Sequence, residues 1–438
     1  MPPQSSPSFQ PESEVATYIA ISSRGVEPVT ANELRRLGAT QVKEFVGAVH
    51  YSASPEVFFR TCLQLRTVSR IVKPLKDFAA ANPEMLYSQV RRIPWEIYLD
   101  AKKTLAVYAT IEGSGGRSRN VNDASRQTQP TRGGKAPPKP EAKAKGINHS
   151  QYAALKIKDA VVDRLRQELG ARPNVDTINP DVRIHAFFGG GRCTLSLDAT
   201  GASLHERGYR VQNTSAPLKE TLAAAIIDLT GWDGNVPLYD PMCGSGTLVI
   251  EAARKALRIA PGLNRDRFAC QRWPDHDSHL WQETVTAVKA EKRESLAVPI
   301  FASDSDAAAI KAAKANAQAA GVGHVIQFEQ RRIEDSVPPT STPGIVVVNP
   351  PYGERLGKDD KLAGLYHTIG QVWTERFGGW TAFFFAGNLG LTRELGLEAT
   401  ARYKLYNGPI DCRLLKFPLA SGGRQPPDSS GERGGSAP

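Results

Sequence analysis

Short runs of β-branched and aromatic residues alternate along this chain with apolar positions spaced for helices. Between about residues 15 and 120, the strand patterns TYIAIS and TLAVYATI are separated by the helical patterns VTANELRRLG and PEVFFRTCLQLR. That alternation predicts small α/β units. After a polar gap come a helical stretch, QYAALKIKDAVVDRLRQELG, and two strands, RIHAFFG and CTLSLDA.

From about residue 217 the rhythm becomes a regular strand–helix alternation. VPLYD (236–240) precedes a helix from about Thr247 to Arg258, and PIFASD (299–304) precedes an Ala-rich helix closed by Gly321. VIQFE, IVVVN and AFFFAG supply further apolar strands, and RLLKFPL is expected to close the edge of the sheet. Short continuous apolar strands interleaved with helices predict a doubly wound, mostly parallel sheet.

Composition narrows the picture. The chain has 438 residues, 40% of them hydrophobic and 23% charged, enough for two or three globular domains. Its net charge of +10 favours a polyanionic partner. Five scattered cysteines without a C-x-x-C pair point to a reducing compartment without a disulfide framework or zinc site. The start lacks the basic and apolar regions of a signal peptide, and no apolar run reaches membrane-spanning length. A cytoplasmic protein is expected. Residues 1–14 and 419–438 are Pro/Ser- and Gly/Ser/Pro-rich and read as disordered tails. Residues 113–146 are rich in Gly, Pro, Lys and Arg, which predicts a flexible basic loop able to grip phosphates or to serve as a plain linker.

Two segments carry candidate chemistry. In LYDPMCGSGTLVIEAA, Asp240 ends a strand, and Pro241, Met242, Cys243, Gly244, Ser245, Gly246 and Thr247 form a tight turn opening into a helix. Glycines there let backbone approach a ligand, and the helix start offers unpaired N–H groups. A dinucleotide loop would have a third glycine where Val249 stands, and Asp240 would repel a pyrophosphate. An acid beside a two-glycine turn suits a cationic ligand bearing an amino group, such as S-adenosylmethionine; an ordinary strand–turn–helix junction is the plain alternative. Asp304, ending the next strand, stands where doubly wound nucleoside-binding proteins hold a ribose. Asp306 is expected to serve the following helix.

The second segment, VVVNPPYGERL, stops a buried strand at Asn349 with Pro350, Pro351 and Tyr352. The prolines cannot extend a ladder and hold the preceding residues extended. A conjugated exocyclic amine is a weak nucleophile. The Asn349 side-chain oxygen and the Pro350 carbonyl could accept its two hydrogens, while Tyr352 offers a face on which a flipped base stacks.

DPMCGSGTLVIEAA, SDSDAAAI and NPPYGERL resemble the class I guanine-N2 RNA methyltransferases that carry an RNA-binding THUMP domain, above all the bacterial 23S rRNA enzymes. HSQYAALKIKDAVVDRL, RPNVD, LHERGYR, APLKETLAAAI and NGPIDCRLLKF extend the likeness over roughly residues 15–418. The resemblance implies an α/β chain: a Rossmann-like class I methyltransferase domain with a doubly wound seven-stranded sheet, preceded by an α+β ferredoxin-like/THUMP RNA-binding region. The expected segments are 15–75 (ferredoxin-like), 76–204 (THUMP, with the basic insertion), and 205–418 (methyltransferase with its linker helix). It implies S-adenosylmethionine as cofactor and 23S rRNA or a large-subunit precursor as partner, with neither membrane nor metal. A chain of this length would carry a single methyltransferase domain. Where the family places an acid for the cofactor's adenine, this sequence reads FEQRRIED, so that contact stays open, with Asp335 as a weak candidate.

Other signals carry less. Cys243 reads as a small packed residue, and DHDSH (275–279) as solvated surface. Arg207, Tyr209 and Arg210 would touch RNA or brace two halves, and Lys219 and Glu220 read as a surface pair at a helix start. A tRNA guanine-N2 or adenine-N6 methyltransferase shares the same site physics. A non-catalytic RNA-binding ribosome assembly factor is the alternative from another class.

Overall fold

The computed structural model describes residues 15–112, 147–212, 218–351 and 359–420. Residues 1–14 and 421–438, the basic segment 113–146 and Tyr352 lie outside them, whereas Leu419, placed in the expected C-terminal tail, is buried. The chain divides into two units: residues 1–207 with 260–291, and residues 208–259 with 292–438.

The first unit is built on one eight-stranded sheet. Its strands are β1 (Ala16–Ser22), β2 (Thr40–Phe45), β3 (Ala48–Ala53), β4 (Val68–Ala79), β5 (Thr104–Ile111), β6 (Asn174–Val175), β7 (Val182–Gly189) and β8 (Arg192–Asp198), in the order β2-β3-β1-β4-β8-β7-β5-β6. The twelve-residue β4 pairs with β1 on one side and β8 on the other, so the ferredoxin-like and THUMP regions share a sheet across residue 75. Pro74 lies at a register shift in the pairing with β8, the kind of irregular position to which proline is confined within sheets.

The segment 260–291 had no distinguishing pattern in the sequence, yet it packs in this first unit. Phe268, Cys270, Trp273, Trp281 and Val288 are buried in the same core as Phe58 and Phe59. Trp273 stacks on Phe58 with centroids 5.9 Å apart, and Trp281 meets Phe59 edge-on at 5.1 Å. DHDSH is surface, as expected, at Asp275, Asp277, Ser278 and His279, which are exposed. Only the half-buried His276 ring lies against Phe59 and Trp281, while Asp275 pairs with Lys73 and Asp277 caps the helix Ser278–Ala290.

The second unit holds the seven-stranded sheet, with strands β9 (Leu238–Asp240), β10 (Ile300–Asp304), β11 (Ile326–Gln330), β12 (Ile345–Val348), β13 (Thr381–Ala386), β14 (Ala401–Asn407) and β15 (Ile410–Pro418). Their order is β11-β10-β9-β12-β13-β15-β14. The first five are parallel, and β15 runs antiparallel to both β13 and β14. RLLKFPL therefore does not close the edge. The two-residue turn after Asn407 folds the chain back, and β15, with Cys412, Leu414, Leu415 and Phe417 buried, goes inside. The half-exposed β14 takes the edge. A strand that buries both faces gains more apolar contact inside a sheet than on its rim.

Candidate functional site

β9 lies between β10 and β12, which is where the strand order reverses direction. Ligands of open α/β sheets bind outside the carboxyl ends of strands at such a reversal. Three residues singled out in the sequence stand there: Asp240 ends β9, Asp304 ends β10, and Asn349 follows β12. Buried Val346 to Val348, apolar on both faces, anchor the last of these.

The turn after β9 is held by its own backbone and by the neighbouring strand. Met242 N–H donates to the Asp240 carboxylate at 3.0 Å, and Cys243 N–H to the Ser303 carbonyl at 2.9 Å. Gly244 N–H donates to one Asp304 oxygen at 2.9 Å, and Asp306 N–H to the other at 3.0 Å. Each Asp304 oxygen keeps acceptor capacity for a further donor. Gly244 and Gly246 have φ of +54° and +84°, a left-handed region costly for other residues. A Cβ on Gly246 would stand 3.1 Å from Ala313 Cβ, whereas one on Gly244 would enter open space. Pro241, Ser245 and Thr247 are buried with the turn, and Met242 is half-buried.

Two acids share this pocket. Asp240 is 1% exposed. Burial, with the nearby Asp304 charge, pushes its carboxyl up to about 8, against the opposing bond from Met242. A cationic group would relieve that penalty, so the donor set fits S-adenosylmethionine, which carries a sulfonium and an ammonium. Burial likewise pushes the Cys243 thiol well above its usual value, which leaves it protonated and packed rather than nucleophilic.

Asn349 is the exception in a well-satisfied site. Its side-chain oxygen is buried and has no hydrogen-bond partner among the described residues. Pro350 is buried and Pro351 exposed. Around the open adenine position, Arg331 pairs with Glu329 and Arg332 with Glu334, while Asp335 is exposed in a short helical turn. Asp306 caps the helix Ala307–Ala319 through Ala308 N–H.

Two further side chains touch the turn: Arg210, singled out in the sequence only as an RNA contact or a brace, and Asn316, which sequence reasoning missed. Glu220, expected at the surface, is instead buried and pairs with Arg210 at 2.8 Å. The available signal for Asn316 was a poor helix former within an alanine-rich helix.

Comparison with known proteins shows the family to which the chain is similar. Residues 17–72 match the RlmL ferredoxin-like domain, 141–198 the THUMP domain, and 207–416 the RMKL-like methyltransferase domain. A putative RNA methyltransferase of Synechocystis sp. is 39% identical over 402 residues, 92% of this chain and 96% of that protein. The ribosomal RNA large subunit methyltransferase K/L of Syntrophotalea carbinolica is 40% identical over 92% of this chain, which spans 53% of that relative. Among solved structures, a putative methyltransferase complexed with SAH superimposes with a TM-score of 0.77 at 28% identity, covering 94% of this chain and 99% of that one. A possible methylase from Clostridium difficile 630 gives 0.78 at 27% identity, covering 94% and 100%.

Proposed function

This chain belongs to the family of THUMP-bearing, S-adenosylmethionine-dependent RNA methyltransferases with an RMKL-like catalytic domain, and on that premise we propose that it methylates the exocyclic N2 amine of a guanine in large-subunit ribosomal RNA. The observation that carries the reading is the buried oxygen of Asn349 at the strand reversal, which has no partner among the described residues. A buried acceptor without a partner costs about 1–3 kcal/mol, a cost that an incoming amine hydrogen removes.

In this reading Asp240 faces the cofactor's ammonium, Pro241 to Thr247 wrap it, and Asp304 takes the ribose hydroxyls. Bound S-adenosylmethionine supplies an electrophilic methyl group. Asn349 and the Pro350 carbonyl accept the two amine hydrogens, which turns the nitrogen lone pair out of conjugation and towards the methyl. Pro351 stiffens the presentation, and Tyr352, outside the described residues, stacks on the base. As the carbon–nitrogen bond forms, the methyl's bond to the sulfonium sulfur would break to leave the neutral thioether. No strong base is needed, because the proton then leaves a cationic nitrogen and passes to water. The RNA is docked by the first unit, and a cytoplasmic setting follows from a ribosomal substrate.

The test is nucleoside mass spectrometry of large-subunit RNA, first isolated from a strain lacking the enzyme and then incubated with the protein and cofactor. N2-methylguanine is the expected product. N6-methyladenine would overturn the guanine assignment, since adenine offers the same kind of conjugated amine.

A further inference from the structure

The buried stripe of the helix Ala307–Ala319 is Ala309, Ile310, Ala312, Ala313, Asn316 and Ala317, apolar at every position but one. Asn316 is 1% exposed. Asparagine is a poor helix former, and burying its amide is costly unless it is bonded. Here every bond is made. Its oxygen accepts from the backbone N–H groups of Val211 at 2.9 Å and Gln212 at 3.0 Å. Its nitrogen donates to the carbonyls of Gln212 at 3.0 Å and Ser245 at 3.1 Å. Two lone pairs and two hydrogens exhaust what a carboxamide offers.

Arg210, from the same short segment, makes a second tie. Its guanidinium donates to Ser245 Oγ and Thr247 Oγ1, each at 3.3 Å, and to the Leu218 carbonyl at 3.0 Å. Buried Glu220 holds it in place through Nε at 2.9 Å. Ser245 is thus gripped by its backbone carbonyl from one side chain and by its hydroxyl from another. Neither side chain is assigned to the cofactor; both act on the turn that carries it.

We infer that Asn316 and Arg210 are positioning residues for the cofactor site, making the binding geometry of the glycine turn conditional on the seating of residues 210–212. The inference rests on the assignment of 240–247 to S-adenosylmethionine. A turn with two left-handed glycines has many competing conformations. Fixing it beforehand removes an ordering cost from binding, and any loosening lowers affinity by the fraction of molecules left incompetent.

Titration calorimetry of the full chain with S-adenosylmethionine tests this, using Asn316→Asp, Asn316→Ala and Arg210→Lys. Asn316→Asp keeps both acceptors for residues 211 and 212 but cannot donate to Ser245 and sets a carboxylate against its carbonyl. Its cofactor affinity should fall about tenfold or more. At saturating cofactor, kcat and the KM for RNA should stay within about twofold. Arg210→Lys keeps the charge without the fork and should show a smaller loss of the same kind. A purely structural role would lower the melting temperature and leave the affinity of the folded protein unchanged. Wild-type affinity in folded Asn316→Asp, or a loss confined to kcat, overturns the inference. If neither Asn316 variant folds, Arg210→Lys decides by the same criterion. Asp240→Ala is the control. If it abolishes binding while the positioning variants bind normally, only this inference fails; if it too binds normally, the assignment of the turn fails beneath it.

Discussion

At the scale of single residues, the site is distinguished by two groups that the fold leaves uncomfortable. Among the described residues the Asn349 oxygen has no partner to lose. Asn349→Ala therefore removes the cost of a buried unpaired acceptor and should not lower the unfolding midpoint, and cofactor affinity should stay unchanged. Turnover should nevertheless fall by roughly 10²–10³, the usual cost of removing one well-placed transition-state hydrogen bond. Single-turnover kinetics beside a thermal melt separates the two effects, and near-normal turnover would refute the role. Asp240 is the other group. Folded, it holds its proton up to about 8. The unfolded chain releases that proton near the ordinary carboxylate value of about 4. The folded state therefore binds the extra proton between those values, and this group's contribution makes stability fall as pH rises through that window. A cofactor ammonium favours the ionised form, so affinity should rise with pH, level off above about 8, and be accompanied by proton release at neutral pH. Calorimetry in buffers of different ionisation enthalpy reads the released proton directly; a flat profile would mean that Asp240 does not face the ammonium.

At the scale of the element, the strand–turn–helix between β9 and Ala256 shows how two glycines can do different work. Gly246 packs against Ala313, and its φ of +84° adds backbone strain to any side chain placed there. Gly246→Ala should therefore cost about 1–2 kcal/mol for the left-handed backbone alone, and more for the contact. Gly244 has open space before it. Gly244→Ala should be the milder change in urea denaturation, yet it should weaken cofactor binding by more than its stability loss explains, because the added methyl enters the space assigned to the ligand. Equal effects of both substitutions on affinity and stability would argue against that placement. Most of the elements were legible in the sequence, since buried parallel strands such as Val346–Val348 advertise themselves as continuous apolar runs. β14 was missed because its half-exposed, charged pattern, ARYKLYN, carries little periodic signal.

At the scale of the molecule, the first unit is completed by residues that follow it at a distance in sequence. Phe268, Trp273 and Trp281 fill its core against Phe58 and Phe59. A fragment ending at residue 207 should therefore expose that aromatic face, bind a hydrophobic dye and unfold less cooperatively than the full chain. A fragment with full-length stability would contradict this packing. The net charge of +10 acts on the same scale. Replacing the lysines and arginines of 113–146 should weaken RNA binding and flatten its dependence on salt, because each phosphate contact releases counterions. An unchanged salt slope would leave that segment as a linker.

Local pattern settled what can be settled locally. The strands, the glycine turn after Asp240, the cap at Asp306 and the rigid Asn-Pro-Pro exit from β12 are consequences of propensity, periodicity and backbone chemistry within a few residues. Only the tertiary structure decided which strands are neighbours, that β15 lies inside β14, and that 260–291 joins the first unit. It also decided that burial pushes the Asp240 carboxyl up, that the Asn349 oxygen has no partner among the described residues, and that Asn316 reaches Ser245. Burial, charge and hydrogen-bond saturation are sums over groups far apart in sequence. No window along the chain contains them.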